Sequence, residues 1–212
     1  AAHGYYGPAP AVYEAGFWNT PLGEVAIDEE LAEAIIENTP AVADSSAHRA
    51  EHSIEVQVPF IQYLFGGAKI VPVIVPPSDH ACRLGRAVGR LVAAKQQKKV
   101  VCIASTDLTH YGPRYGFVPM GTGPKAIEWA TSVNDRRFID LALKLEPEAL
   151  LQNALANQNA CGPGAAAAAV AAARQLGKTE GVLLAHTNSN EVMKQRFGQT
   201  SPESVGYAAI VY

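Results

Sequence analysis

Two hydrophobic patterns recur along this chain: apolar positions spaced by three and four, and short unbroken apolar runs. The first predicts amphipathic helices, and the second predicts strands buried on both faces. Asp28 opens the first helical stretch, with Glu29 and Glu30 suited to the positive end of the helix dipole. Leu31, Ala34 and Ile35 share a face, and Asn38-Thr39-Pro40 stops the helix. Residues 51–65 repeat the pattern through Ile54, Val58, Ile61 and Phe65, but Pro59 lies inside it, so a kink or two separate pieces is expected. A helix over 79–97 turns Leu84, Val88, Leu91 and Val92 inward. A longer helix covers 124–145, Pro147 leads into another at 148–156, and an Ala-rich helix follows at 163–176. The unbroken runs at 69–75, 100–104, 182–186 and 205–212 read as strands.

Buried strands separated by helices indicate an α/β fold, with a central, mostly parallel or mixed sheet and helices on both faces. Residues 3–23 are rich in Pro, Gly and aromatics and read as loop. No internal repeat, linker or shift of composition divides the chain, so residues 1–212 form a single domain.

Composition narrows the function classes. The 17 Lys and Arg are scattered and outnumbered by 20 acids, leaving a net charge of -3, which argues against a nucleic-acid partner. Pro, Gly or charge interrupts every apolar run well short of the ~20 residues a bilayer requires. The first residues carry no signal-peptide pattern. The three cysteines are odd in number and without CxxC spacing, against a disulfide framework or a structural zinc site. That usage fits a reducing cytoplasm. The chain opens Ala-Ala-His-Gly without Met, inside what looks like a loop around a site, so a missing N-terminal segment is expected.

Chemistry concentrates where apolar runs end, since ligands in open α/β sheets collect at the carboxyl ends of strands. The run at 100–104 leads straight into Ser105-Thr106-Asp107-Leu108-Thr109-His110-Tyr111-Gly112. Asp107 and His110 can face one crevice, where imidazole binds a metal or moves a proton and carboxylate binds a metal or orients the ring. Alternatively, Asp107 caps a turn and His110 is a satisfied loop histidine. His3, beside Gly4, Tyr5, Tyr6, Gly7 and Pro8, suits a pocket wall or lies in solvent near the terminus. Glu51 and Glu55 share a helix face next to His52, either at a site or as a solvated face with a capping contact. Cys161 precedes Gly162-Pro163-Gly164 at the start of the Ala-rich helix, where the dipole favours a thiolate; otherwise it is a small buried residue. Cys82 and Cys102 read as buried, His48 and His80 as surface, and His186 as a weaker candidate for the crevice.

Several of these segments together resemble the Memo family, the protein-B type of the AmmeMemoRadiSam system, itself related to the class III extradiol dioxygenases. They are His3 with Thr20-Pro21-Leu22-Gly23, EHSIEVQVPF at 51–60, IVPVIV at 70–75, ASTDLTHYG at 104–112, Asn159-Ala160-Cys161-Gly162, and SVGYAAIVY at 204–212. The resemblance spans essentially the whole chain. It implies an earlier segment of roughly 50–80 residues, judged against a domain of this class, carrying Pro-His-Ala-Gly-Tyr with a further site histidine. In the family the histidine matching His3 usually follows Gly-Pro-Ser, whereas Ala1-Ala2 stand before it here.

The resemblance further implies His3 and Cys161 as metal ligands, with Asp107 and His110 as further ligands or as an acid/base pair. The metal would be iron or copper. A sulfur ligand where the dioxygenases use a carboxylate shifts preference toward copper(I) or thiolate-bound iron, and away from simple ring cleavage. Two functions follow: redox or dioxygenase-like chemistry at a non-haem metal, or a scaffold that uses the old crevice to hold a peptide or partner protein. AMMECR-type and radical-SAM proteins are the partners the resemblance implies, and no Arg cluster favours a phosphopeptide.

Overall fold

The computed structural model describes residues 1–5, 7–94 and 99–212. The chain begins with a short strand β1 (Ala11–Val12) and a hairpin of β2 (Phe17–Thr20) and β3 (Gly23–Ala26). Helix α1 (Glu29–Asn38), strand β4 (Val42–Ala43) and a 3-10 turn (Ser45–Ala50) follow, then α2 (Val58–Leu64), β5 (Val73–Ile74) and α3 (His80–Ala94). After β6 (His110–Tyr111) come α4 (Pro124–Trp129), a π-helical turn (Ala130–Asp135), α5 (Arg136–Leu143), α6 (Pro147–Asn157) and α7 (Pro163–Gln175). The chain closes with β7 (Val182–Asn188), α8 (Ser189–Phe197) and β8 (Ser204–Val211).

The strands form mixed sheets. β1 sits between β4, to which it runs parallel, and β5, to which it runs antiparallel. β8 lies between β6 and β7, antiparallel to both. The α/β class stands, but the pairings are mixed rather than mostly parallel, because β7 and β8 are joined by one short helix that returns the chain beside itself.

The centre of the molecule is α7. Its alanines from Ala165 to Ala168 and Ala171 to Ala173, with Val170, are all buried. Small side chains let α3 approach closely: a Cβ at Gly89 would lie 2.9 Å from the Ala172 carbonyl oxygen, and one at Gly85 would collide with the Ala168 carbonyl. Leu84 and Cys82 fill the same core, joined by Phe138, Ile139, Leu150 and Leu151 from α5 and α6. Cys82 is thus the small buried residue expected, and burial pushes its thiol up to about 11.

The local signals performed as read where they depend on near neighbours. The Asp28 carboxylate caps α1 by accepting the Leu31 N–H at 3.2 Å. Pro59 breaks the 51–65 pattern: helix begins only at Val58, and Phe65 is 64% exposed. The helix expected over 79–97 is present to Ala94, and 95–98 lie outside the described residues.

Three expectations are corrected, and one is refined. Residues 3–23 are not all loop: β1 pairs with two strands, and β2 and β3 form a hairpin whose turn is held by the Thr20 hydroxyl, which accepts the Leu22 N–H at 3.0 Å and donates to Gly23 O at 2.9 Å. The run at 100–104 makes no ladder with the described residues, and Val101 and Ile103 are 80% and 62% exposed, with Cys102 exposed between them. The long helix expected over 124–145 is present from Pro124 to Leu143, with a π-helical turn inside it. His48 is not a surface residue: it is buried edge-on between Tyr13 and Trp18, and its Nε2 meets the Ala11 carbonyl at 3.2 Å.

Candidate metal centre

Two chain segments meet to form the site. The first is 105–110, running into the edge strand β6; the second is 159–162, at the start of α7. Gln158 ends α6 in the left-handed region (φ 49°), which turns the chain through the fully buried Asn159 toward Cys161. The Asn159 amide donates to Asn134 O at 2.9 Å and to Asn153 Oδ1 at 3.0 Å, fixing this corner. Thr106 joins the segments: its hydroxyl accepts the Gly162 N–H at 2.8 Å and donates to Asp107 O at 2.8 Å. Gly162 must be small here, since a Cβ would lie 2.9 Å from Ser105 O.

Cys161 lies at the centre of the cluster. The Asp107 N–H donates to its Sγ at 3.2 Å, and the Cys161 N–H donates to Asp107 O at 3.2 Å. His110 Nε2 is 3.4 Å from Asp107 Oδ2, and the ring packs tilted against Tyr115 at 5.0 Å. One ligand atom each from Asp107, His110 and Cys161 lie within 4.8 Å of one another. His3 approaches the same sulfur from the N-terminal loop, near enough for its ring, like that of His110, to favour the thiolate.

His3 is itself gripped. Glu51, 3% exposed, accepts its backbone N–H at 2.8 Å and meets its ring Nδ1 at 3.0 Å. Glu51 also takes the Ser53 N–H at 2.8 Å. A carboxylate on Nδ1 fixes the ring's orientation and leaves Nε2 as the free ligand atom. Glu51 is therefore neither on a helix with Glu55 nor solvated: it sits at the end of the 3-10 turn and faces inward. His52 is exposed and stacks on His3 at 4.6 Å, so His3, Glu51 and His52 make a second compact group of ligand atoms sharing His3.

The electrostatics follow from these bonds. Burial opposes ionisation of Cys161, but the nearby His110 and His3 rings and the Asp107 N–H outweigh it and bring the thiol down to about 7. Asp107 and then Cys161 hold the proton on His110, raising it to about 9 against some desolvation. Burial disfavours charge on His3, yet Cys161 and Glu51 raise its pKa overall. Glu51 is held well below the usual carboxylate range: desolvation is outweighed by the His3 and Ser53 donors. Around pH 7–9 the resting pair is thiolate and imidazolium, and a metal ion would displace the proton.

A sequence profile described as Memo-like protein matches residues 1–211. The chain belongs to the Memo family. A MEMO1 family protein of Thermococcus kodakarensis is 39% identical over 218 residues, covering 99% of this chain and 73% of that protein. One from Thermococcus onnurineus is 37% identical with the same coverage, and one from Methanopyrus kandleri is 36% identical over 99% of this chain and 69% of its own. Of the sequence-derived candidates in this Memo-family chain, Asp107, His110 and Cys161 form one cluster, and His3 groups with Glu51 and His52 beside it. His186 does not reach it: its Nε2 is 3.2 Å from Asp135 Oδ2, behind the 107–110 loop. Sequence reasoning passed over Thr106, Asn134 and Asp135, and no local signal distinguishes them from surface polar residues. No described helix is long and apolar enough to cross a membrane.

Proposed function

We propose that this Memo-family crevice binds iron or copper and serves redox or dioxygenase-like chemistry. The observation that carries the reading is the convergence of an imidazole, a carboxylate oxygen and a sulfur within 4.8 Å, with the His3 imidazole close enough to the same sulfur to favour its ionisation. The donor set fits such a metal: mixed nitrogen and thiolate ligands favour copper(I) or thiolate-bound iron over magnesium or calcium. His3 and Cys161 would hold the ion, with Asp107 and His110 beside it. The metal would supply electron transfer and activation of a bound oxygen-type ligand.

The protein's own groups do the rest. Glu51 orients the His3 ring, and the Asp107 N–H and the start of α7 stabilise negative charge on Cys161. His110, paired with Asp107, holds a proton to about pH 9 and can deliver it into the crevice. Tyr115 packs on one side of that ring and limits its rotation.

Metal analysis of the purified protein tests this, comparing wild type with Cys161→Ser and His3→Ala. The expected result is iron or copper near one equivalent in wild type and a clear loss in both variants. Absence of both metals from wild type, or occupancy unchanged in both variants, overturns the proposal.

A further inference from the structure

Behind the crevice lies a buried polar network that the metal reading does not use. The π-helical turn at Ala130–Asp135 widens the helix by one residue just where it faces the 107–110 loop. Such turns are rare and recur at functional sites. Here the turn buries two adjacent polar side chains, Asn134 at 0% and Asp135 at 1% exposure.

Both converge on Thr109, itself 1% exposed. Asp135 Oδ1 accepts the Thr109 N–H at 2.9 Å, and the Asn134 amide donates to Thr109 Oγ1 at 3.1 Å. The second Asp135 oxygen takes His186 Nε2 at 3.2 Å. Gly206 makes room, for a Cβ there would collide with the Asp135 carboxylate. On its other edge the loop is laced to β8: Leu108 N–H donates to Gly206 O at 2.9 Å, and Gly206 N–H donates to Thr109 O at 3.1 Å. Among the described residues β6 is an edge strand, and the N–H of Thr109 just before it is taken by Asp135. A carboxylate is costly to bury unless both oxygens are well partnered, and here Thr109 N–H and His186 Nε2 fill those places. The residue it holds, Thr109, lies one position from His110 and two from Asp107, which gives the carboxylate a reason to be there.

We infer that Asp135, braced by His186 on β7, is a positioning residue that clamps Thr109 and so fixes His110 and Asp107 relative to Cys161. This rests on the reading of that crevice as a metal centre. The His186–Asp135–Thr109 relay links β7, the π-helical turn and β6. It also explains why the histidine that sequence placed near the crevice instead supports it from behind.

The test uses Asp135→Ala, Asp135→Asn and His186→Ala, each first shown by a cooperative thermal melt to be folded. Two signals are read: the ring resonance of His110 in metal-free protein, assigned from His110→Gln, and the thiolate-to-cobalt charge-transfer band with added Co(II). Asp135→Asn keeps an acceptor for Thr109 and should preserve both signals. Asp135→Ala and His186→Ala should shift or broaden the His110 resonance and weaken Co(II) binding by about 10-fold or more, the scale of removing an outer support of a metal ligand. Should Asp135→Ala fail to fold, His186→Ala decides. Folded variants with the His110 resonance and Co(II) affinity of wild type overturn the inference. A wild type without a thiolate–cobalt band overturns the metal reading instead, and the His110 resonance then still decides the role of Asp135.

Discussion

Cys161 and Asp107 hold each other by reciprocal bonds, the Asp107 N–H on the Cys161 sulfur and the Cys161 N–H on the Asp107 carbonyl, each at 3.2 Å. Residues 54 positions apart are thereby fixed as one unit. The thiol thus meets a backbone donor that cannot rotate away, with the His110 and His3 rings nearby to favour its charge.

The thiol should therefore ionise early. In metal-free protein carrying Cys102→Ser, to remove the exposed thiol, alkylation of Cys161 by iodoacetamide should titrate with a midpoint near 7 rather than the ordinary 9.0. His110→Gln should move that midpoint upward, because His110 is foremost among the bonds that lower it. A midpoint near 9.0 before that substitution would refute the account.

Glu51 should stabilise the fold in a pH-dependent way. Its folded pKa lies below the ordinary 4.5, so its contribution is complete above 4.5 and is lost as pH falls through the lower folded value. Glu51→Gln should lose about 1.5–3 kcal/mol at neutral pH, the scale of hydrogen bonds to a charged group. Urea titrations should show the gap between variant and wild type closing in acid. A gap constant from neutral to strongly acid pH would contradict this.

His48 acts in the same direction, but over a higher pH window. Burial, partly offset by the Ala11 carbonyl, depresses its folded pKa below the ordinary 6.5. The unfolded chain then binds the proton first, so acidification below 6.5 costs stability that returns as pH rises. His48→Phe keeps an aromatic ring between Tyr13 and Trp18 and should flatten this slope. Parallel stability curves for the two proteins below pH 6.5 would rule the assignment out.

Close approach of α3 and α7 should make Gly85→Ala expensive. The new methyl meets the Ala168 carbonyl and lies 2.8 Å from the Ala171 Cβ, both inside the packed core. A loss of about 1–3 kcal/mol is expected from such overpacking, read from the urea midpoint. A change within about 0.5 kcal/mol, the range of ordinary surface substitutions, would show that the helices can part without cost.

Much of the site was legible in the chain itself. The spacing of Asp107 and His110, and the placement of Cys161 ahead of Pro163 and a long helix, are local arrangements, and the structure brings both into one crevice. Glu51 was visible as a polar residue beside His52, but its role was not, because the helix that would have placed it beside Glu55 starts only at Val58.

What sequence alone determined here are features governed by neighbours a few residues away: the Asp28 cap, the break at Pro59, the alanine helix, and the turn chemistry ahead of Cys161. Tertiary structure alone decided which polar groups are buried and against what. His3 and Glu51 are 48 positions apart, Thr109 and Asp135 26, and His186 and Asp135 51. Nothing within one turn of those residues favours one partner over another. The Asp135 bonds exist because the loop before β6, the widened helical turn and β7 come together, while His3 meets Glu51 where the N-terminal loop lies against the end of the 3-10 turn. The same reason explains the run at 100–104, whose apolar pattern predicts burial: whether an apolar segment is covered depends on what folds onto it.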